Sequence, residues 1–200
     1  MLSKVKSAAI LGIDAYEVEV ETDITFGIPN FSTVGLPDAS VKESKDRVRS
    51  AIKNSEYDFP PNKKITINLS PADRKKEGPS FDLPIAAGIL AAEGFISKEC
   101  LSKYMIIGEL SLDGSVKRVK GALSMAIRAR QEGYAGILVP PENAQEAAVA
   151  EGLPVYPVRT LTEAITFLET KDSITPYSVD LSSLFNRSRN YGIDFRDVKG

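Results

Sequence analysis

Histidine does not occur anywhere in this 200-residue sequence. Its absence removes every Ser-His-Asp and Cys-His mechanism, because each needs an imidazole to take the nucleophile's proton. Cys100 is the single cysteine, so zinc and iron sites built from His and Cys are removed as well. Only oxygen ligands of the kind magnesium and calcium accept are left. One cysteine makes no intrachain disulfide, which fits a reducing compartment. With no histidine to activate it, Cys100 reads as a small residue near a helix. No Gly-Lys dipeptide occurs, and hence no P-loop. No stretch approaches the roughly 20 apolar residues that span a bilayer. The opening MLSKVKSAAILGIDAYEVEV has too short an apolar run for a signal peptide, and acids follow at once. The expected location is the cytoplasm, with no membrane partner. A one-sided charge is missing too: 25 basic and 27 acidic residues leave a formal −2, which argues against a dedicated nucleic-acid binder with a large basic footprint.

What is present is ordered. The apolar fraction of 42% is ordinary, and a chain of this length can bury a core. Residues 4–36 read as strands, with acid and valine alternating from Glu17 to Glu21 and a turn at Gly27-Ile28-Pro29-Asn30. Asp38 is placed to cap a helix in which Val41, Val48, Ala51 and Ile52 recur at helical spacing. Residues 64–69 alternate as a strand, and Pro71 to Pro79 is a charged loop. An apolar helix runs from about Phe81 to Glu93, with Pro84 in its first turn and Gly94 closing it. Asp113-Gly114 sits between two apolar runs, 105–112 and 115–119, as a hairpin turn. A helix over 121–131, a strand over 136–140, a helix over 142–151, a strand over 154–158 and a helix over 161–169 complete the pattern. Strands first, then alternating α and β, predict an α/β (α+β) sandwich with a mixed sheet over residues 1–170. Residues 171–200 are rich in Ser, Asp, Asn and Arg and read as a linker or a segment that docks elsewhere. Charge is polarised: residues 42–76 hold ten basic and five acidic residues, residues 1–41 two and six.

Several segments match one family together: Val34-Gly35-Leu36-Pro37-Asp38 with Val41-Lys42-Glu43-Ser44, Asp46 to Ala51, Ile67 to Asp73, Lys76-Glu77-Gly78, Phe81 to Ala86, and Gly108 to Gly114. From about Val5 to Leu168 the chain resembles the N-terminal domain of the ComM-type (YifB-type), magnesium-chelatase-like AAA+ ATPases. The final Asp194 to Gly200 resembles the junction at which the ATPase module begins. The resemblance implies the fold of the Lon protease domain and of the second domain of ribosomal protein S5. It implies a ring-forming, hexameric parent in which a separate AAA+ module binds ATP and magnesium, with DNA as a partner of the assembled ring and branch migration during competence as the parent's work.

Three chemistries have candidate residues or motifs to be looked for in the chain. Gly78-Pro79-Ser80 resembles the segment that carries Lon's nucleophilic serine, and such a serine needs a base. In Lon a lysine supplies it; the ungapped match places Leu123 there, and leucine takes no proton. Lys120 lies three residues earlier. Ser80 otherwise reads as a helix cap. Nucleotide hydrolysis lacks its motif. Nucleic-acid contact has candidates in Lys63, Lys64, Arg74, Lys75 and Lys76, although Asp73 and Glu77 flank the loop and no aromatic interleaves it. Asp82 reads as a first-turn acid that suits the helix dipole, or as an alternative cap. Glu109 and Asp113 read as solvent-facing carboxylates beside the hairpin. The reading is an accessory, non-catalytic domain with no cofactor or metal of its own. The alternatives are a Lon-like serine peptidase using Ser80 with a non-homologous lysine, and a protein-interaction scaffold.

Overall fold

The computed structural model describes residues 1–170 and 173–179. Strands β1 (Leu2–Leu11), β2 (Asp14–Phe26) and β3 (Asn30–Val34) lead into helix α1 (Ala39–Asn54) and strand β4 (Lys63–Ser70). A 3-10 turn (Pro79–Phe81) opens helix α2 (Asp82–Ala92), and α3 (Lys98–Leu101) follows. Strands β5 (Tyr104–Ile106), β6 (Glu109–Leu110) and β7 (Val116–Lys117) precede α4 (Ala122–Gln131), β8 (Gly136–Val139), α5 (Ala144–Ala148), β9 (Val155–Pro157) and α6 (Leu161–Thr170). Seven strands form one mixed sheet in the order β3-β4-β2-β1-β5-β8-β9. β1, β2 and β4 pair antiparallel, and β3 and the β1-β5-β8-β9 half pair parallel. This is the mixed α/β sandwich that the order of elements predicts.

The acid–valine alternation of β2 sorts its side chains by face. Val18 and Val20 are fully buried, while Glu17, Glu19 and Glu21 are half-buried on the opposite face. There Lys4 of β1 bonds Glu19 and Glu21, and Lys6 bonds Glu17 and Glu19, at 2.8–2.9 Å. Burial opposes the Glu19 carboxylate, yet hydrogen bonds from both lysines outweigh it and hold its pKa below the ordinary value. Three of the acids in the N-terminal segment are thus engaged in a cross-strand ladder.

Two apolar layers cover the sheet. One joins α1, α2 and α6 to the inner face of β2 and β4; the other joins α4 and α5 to Ala8, Met105 and Ile137. All eleven residues of α2 are buried, which explains why that segment is apolar all round rather than amphipathic. Its Gly88 lies against β2, where a Cβ would sit 2.6 Å from Thr22 Oγ1.

The structure departs from the sequence reading in two of its elements. The apolar run 105–112 is two strands, broken at Gly108. The Gly108 N–H donates to Ser80 O and its carbonyl accepts from Leu83 N, both at 3.0 Å. The helix expected over 142–151 contracts to a 3-10 turn and the five-residue α5. Asn143 is held by two 2.9 Å hydrogen bonds to the Val119 backbone, and Glu151 turns into left-handed backbone. In the segment read as a linker or as docking elsewhere, residues 173–179 run beside β9, with Tyr177 N donating to Val155 O at 2.8 Å. The rest of that segment, 171–172 and 180–200, lies outside the described residues.

Candidate functional site

Several of the segments that carry the family resemblance are hydrogen-bonded to one another in the fold: 36–38 to 76–78, Arg47 to Asp82, and Asp82 to Leu110. Asp38 caps α1 as expected, its Oδ1 accepting from Val41 N at 2.8 Å. Its Oδ2 accepts from Gly78 N at 3.1 Å and so ties the helix to the 71–78 loop. The backbones of the two segments also join, Asp38 N to Lys76 O and Lys76 N to Leu36 O, both at 3.0 Å. Gly35 makes that approach possible: its φ is +95°, and a Cβ there would lie 2.2 Å from Leu69 O.

Lys76 is fully buried, which corrects its reading as a mobile cation on an exposed loop. Its long apolar stem folds inward, and its ammonium donates to the carbonyl of Pro71 and, at 2.8 Å, to that of Arg74. Burial pushes its pKa down. Lys76 therefore clasps its own loop. Tyr16 closes the other side, its hydroxyl donating to Lys75 O at 3.0 Å under the Arg74 guanidinium. Lys76→Met keeps the stem and removes the donor. It should cost about 1–3 kcal/mol in urea unfolding, because two carbonyls lose a charged partner. An unchanged midpoint would return Lys76 to the solvent.

Three of the other four basic candidates are also engaged. Lys63 pairs with Glu93 at 2.7 Å and Lys75 with Glu77 at 2.8 Å. Arg74 stacks on Tyr16, 4.9 Å from the ring centre. Lys64 is exposed. The five residues do not form a free cationic cluster.

Asp82 is the first-turn acid of α2, as expected, and not its cap. It is fully buried, bound by Arg47 of α1 through Nε (2.6 Å) and Nη2 (3.0 Å), and it accepts from Leu110 N at 3.2 Å. Burial pushes its pKa up, against the pull of Arg47; the hydrogen bond to Asp82 pushes that of Arg47 up. The fork-to-fork geometry and the backbone donor are those of an ionised carboxylate. The pair locks α1, α2 and the β6–β7 hairpin together. Local sequence rules missed it because the partners are 35 residues apart. The available signal was an acid inside an otherwise apolar helix.

Ser80 sits in the 3-10 turn and caps neither that turn nor α2, which corrects its reading as a cap. It lines a cleft of about 650 Å³ with Gly78, Glu109, Arg118, Lys120 and Gly121. Glu109, half-buried, faces this cleft rather than open solvent, whereas Asp113 is exposed and holds the turn by accepting from Ser115 N and Oγ. Among the described residues the Ser80 hydroxyl has no hydrogen-bond partner, and no lysine nitrogen is within reach. Lys120 is exposed. Leu123 packs against the second apolar layer, as a leucine should.

The comparisons with known proteins fit this scaffold. A model of the family described as subunit ChlI of Mg-chelatase matches residues 20–143. The chain belongs to that family. Within the ChlI family setting, protein YifB of Salmonella typhimurium is 42% identical over 200 residues, covering 100% of this chain and 38% of that protein. Competence protein ComM of Haemophilus influenzae is 37% identical over 201 residues, covering 100% of this chain and 39% of its own length. An archaeal Lon protease of Methanocaldococcus jannaschii is 26% identical over 112 residues, 56% of this chain and 17% of the protease. The chain thus spans about two fifths of the length of the first two relatives. The ChlI match contains the whole clasped loop, the Arg47–Asp82 pair and Ser80. Among the described residues no cluster of acidic, Cys or His side chains is disposed to hold a metal, and no helix is long and apolar enough to cross a membrane.

Proposed function

We propose that this chain is the non-catalytic N-terminal domain of a magnesium-chelatase-like AAA+ ATPase that acts on DNA. ATP and magnesium would be bound by a separate module of the same polypeptide, assembled as a hexameric ring in the cytoplasm. The observation that carries the reading is the match to a competence protein along the entire chain but over only 39% of that protein. Residues 1–170 would serve substrate handling or assembly, and residues 171–200 would lead into the ATPase. The non-catalytic part rests on Ser80, whose hydroxyl has no base, and on the apolar Leu123 at the place where Lon's lysine is expected.

The test uses the parent protein and the chain side by side. With magnesium and ATP, the parent should release phosphate faster when DNA is added, and the 200-residue chain should match buffer alone. Ser80→Ala should leave the parent's rate within about twofold, since Ser80 belongs to no catalytic unit. Because Ser80 caps nothing, the same change should cost under about 0.5 kcal/mol in stability. A peptidase activity that purifies with the chain and vanishes in Ser80→Ala would replace this reading with that of a serine peptidase.

A further inference from the structure

At the edge of the sheet, a second cleft of about 390 Å³ lies between β3 and α1, away from Ser80. Its floor is aromatic and its wall is cationic. Phe31 from β3 and Phe59 from the loop after α1 are half-buried against the core, each leaving part of its ring toward the cleft. Lys45, Arg49 and Lys53 stand along the cleft on α1. They recur at i, i+4 and i+8, so they share one helix face, spaced about 6 Å apart along the axis. The adjoining face of α1, with Val41, Val48 and Ile52, is buried, so the row runs along the border between core and solvent. Arg49 lies 5.5 Å from the centre of the Phe59 ring. Among the described residues Lys45, Arg49 and Lys53 make no ion pair, unlike Lys63 beside them, which is held by Glu93.

Three exposed cations in a row without an acidic partner, Arg49 among them lying over Phe59, stand beside two rings in a concave floor and answer two chemical features at once. The cations suit successive phosphates of one strand, and the rings suit the flat face of an unpaired base. A duplex offers no free base face to such a floor, and a simple anion would leave the rings unused. We propose that this cleft binds a single-stranded nucleic-acid segment, with phosphates along Lys45, Arg49 and Lys53 and a base on Phe59 and Phe31. The cleft, rather than the 71–78 loop, is the chain's nucleic-acid surface. The inference deepens the DNA-acting reading above and rests on it for its biological context.

Fluorescence anisotropy of the full chain with labelled oligo-dT, oligo-rU, an abasic strand and a duplex of equal length tests it over a range of salt. Oligo-dT should bind with a salt slope of about −2, near −0.7 for each phosphate neutralised. The triple variant Lys45→Gln, Arg49→Gln, Lys53→Gln keeps helix-forming residues on an exposed face. It should weaken binding at least about tenfold and flatten the slope. Phe59→Leu, which keeps an apolar side chain in the floor, should weaken oligo-dT by about tenfold and leave the slope alone, since stacking is lost and charge is not. The abasic strand and the duplex should bind the wild-type chain more weakly than oligo-dT. The comparison of oligo-rU with oligo-dT reads which sugar is preferred, and tight binding of either single strand supports the site. Binding retained in the triple variant but lost on charge reversal of Arg74 and Lys75 would overturn the cleft while leaving a DNA contact. No binding of any strand at low salt would overturn it too, and the parent's DNA-stimulated ATPase would still stand or fall on its own measurement.

Discussion

Arg47→Ala should destabilise the chain by about 3–5 kcal/mol, because it strands a buried carboxylate. Asp82 has no exposed surface, and its remaining donor would be the Leu110 N–H at 3.2 Å. Arg47 also donates to Ser40 O at 3.0 Å, so the change loosens the first turn of α1 as well. The charge, not the lost packing, should dominate the effect, and two further measurements separate them. The double change Arg47→Met, Asp82→Leu removes both charges while keeping apolar volume, and should recover most of the loss. The pH dependence gives the second. Burial already holds the Asp82 pKa above its ordinary value. Without Arg47 only the Leu110 N–H opposes that burial, so the folded state takes up the carboxyl proton before the unfolded chain does. An acid raised in this way favours folding fully below its unfolded pKa of about 3.9, and that contribution is lost as pH rises through the folded value. Arg47→Ala should therefore be closer to wild type at pH 5 than at pH 8. A loss equal at both pH values, and not recovered by the double change, would show that packing rather than charge sets the cost.

Much of the fold was legible because it follows from local rules. The alternation in β2, the Asp38 cap and the Asp113-Gly114 turn each depend on neighbours within a few residues, and each is in place. Resemblance over many co-linear segments supplied the family. What could not be read was the direction in which charged side chains turn. Arg74-Lys75-Lys76 reads as one solvated cluster, yet one member stacks, one pairs and one is buried. Local acidity gave Asp82 a sufficient role at a helix start and concealed a partner on another helix. Ser80 precedes a helix as a cap would, but a 3-10 turn intervenes and carries its hydroxyl into the cleft wall.

The charge polarity of the sequence also resolves into separate causes. Of the basic residues between 42 and 76, Arg47, Lys63, Lys75 and Lys76 are held by acids or carbonyls within the fold. Lys45, Arg49 and Lys53 are what remains on one face of α1, beside aromatic rings that lie far from them in sequence or across a loop. A count along the chain adds both kinds together. Geometry separates the cations that build the scaffold from those left to meet something else.

Gly35→Ala should be the most damaging single-methyl change in the chain, about 3–5 kcal/mol, as left-handed strain and overpacking combine. Gly35 has a φ of +95°, and its Cβ would lie 2.2 Å from Leu69 O and 2.9 Å from Leu69 C and N. Those are backbone atoms of β4, which is paired on both sides by β2 and β3 and so has little room to give. Gly94 supplies the control. Its φ is +94°, and nothing lies within 4 Å of its Cβ position. Gly94→Ala therefore carries the same backbone strain without the collision and should cost about 1–2 kcal/mol. The difference between the two variants, read from urea midpoints at unchanged slope, isolates the collision. Relief would have to come from moving the segment from Val34 to Asp38 away from β4. That movement would pull Asp38 from Gly78 and Lys76, so Gly35→Ala should also raise amide exchange across the 71–78 loop, and Gly94→Ala should not. Equal costs for the two substitutions would mean that β3 and β4 can separate freely, and that the close approach at Gly35 does not hold the clasped loop in place.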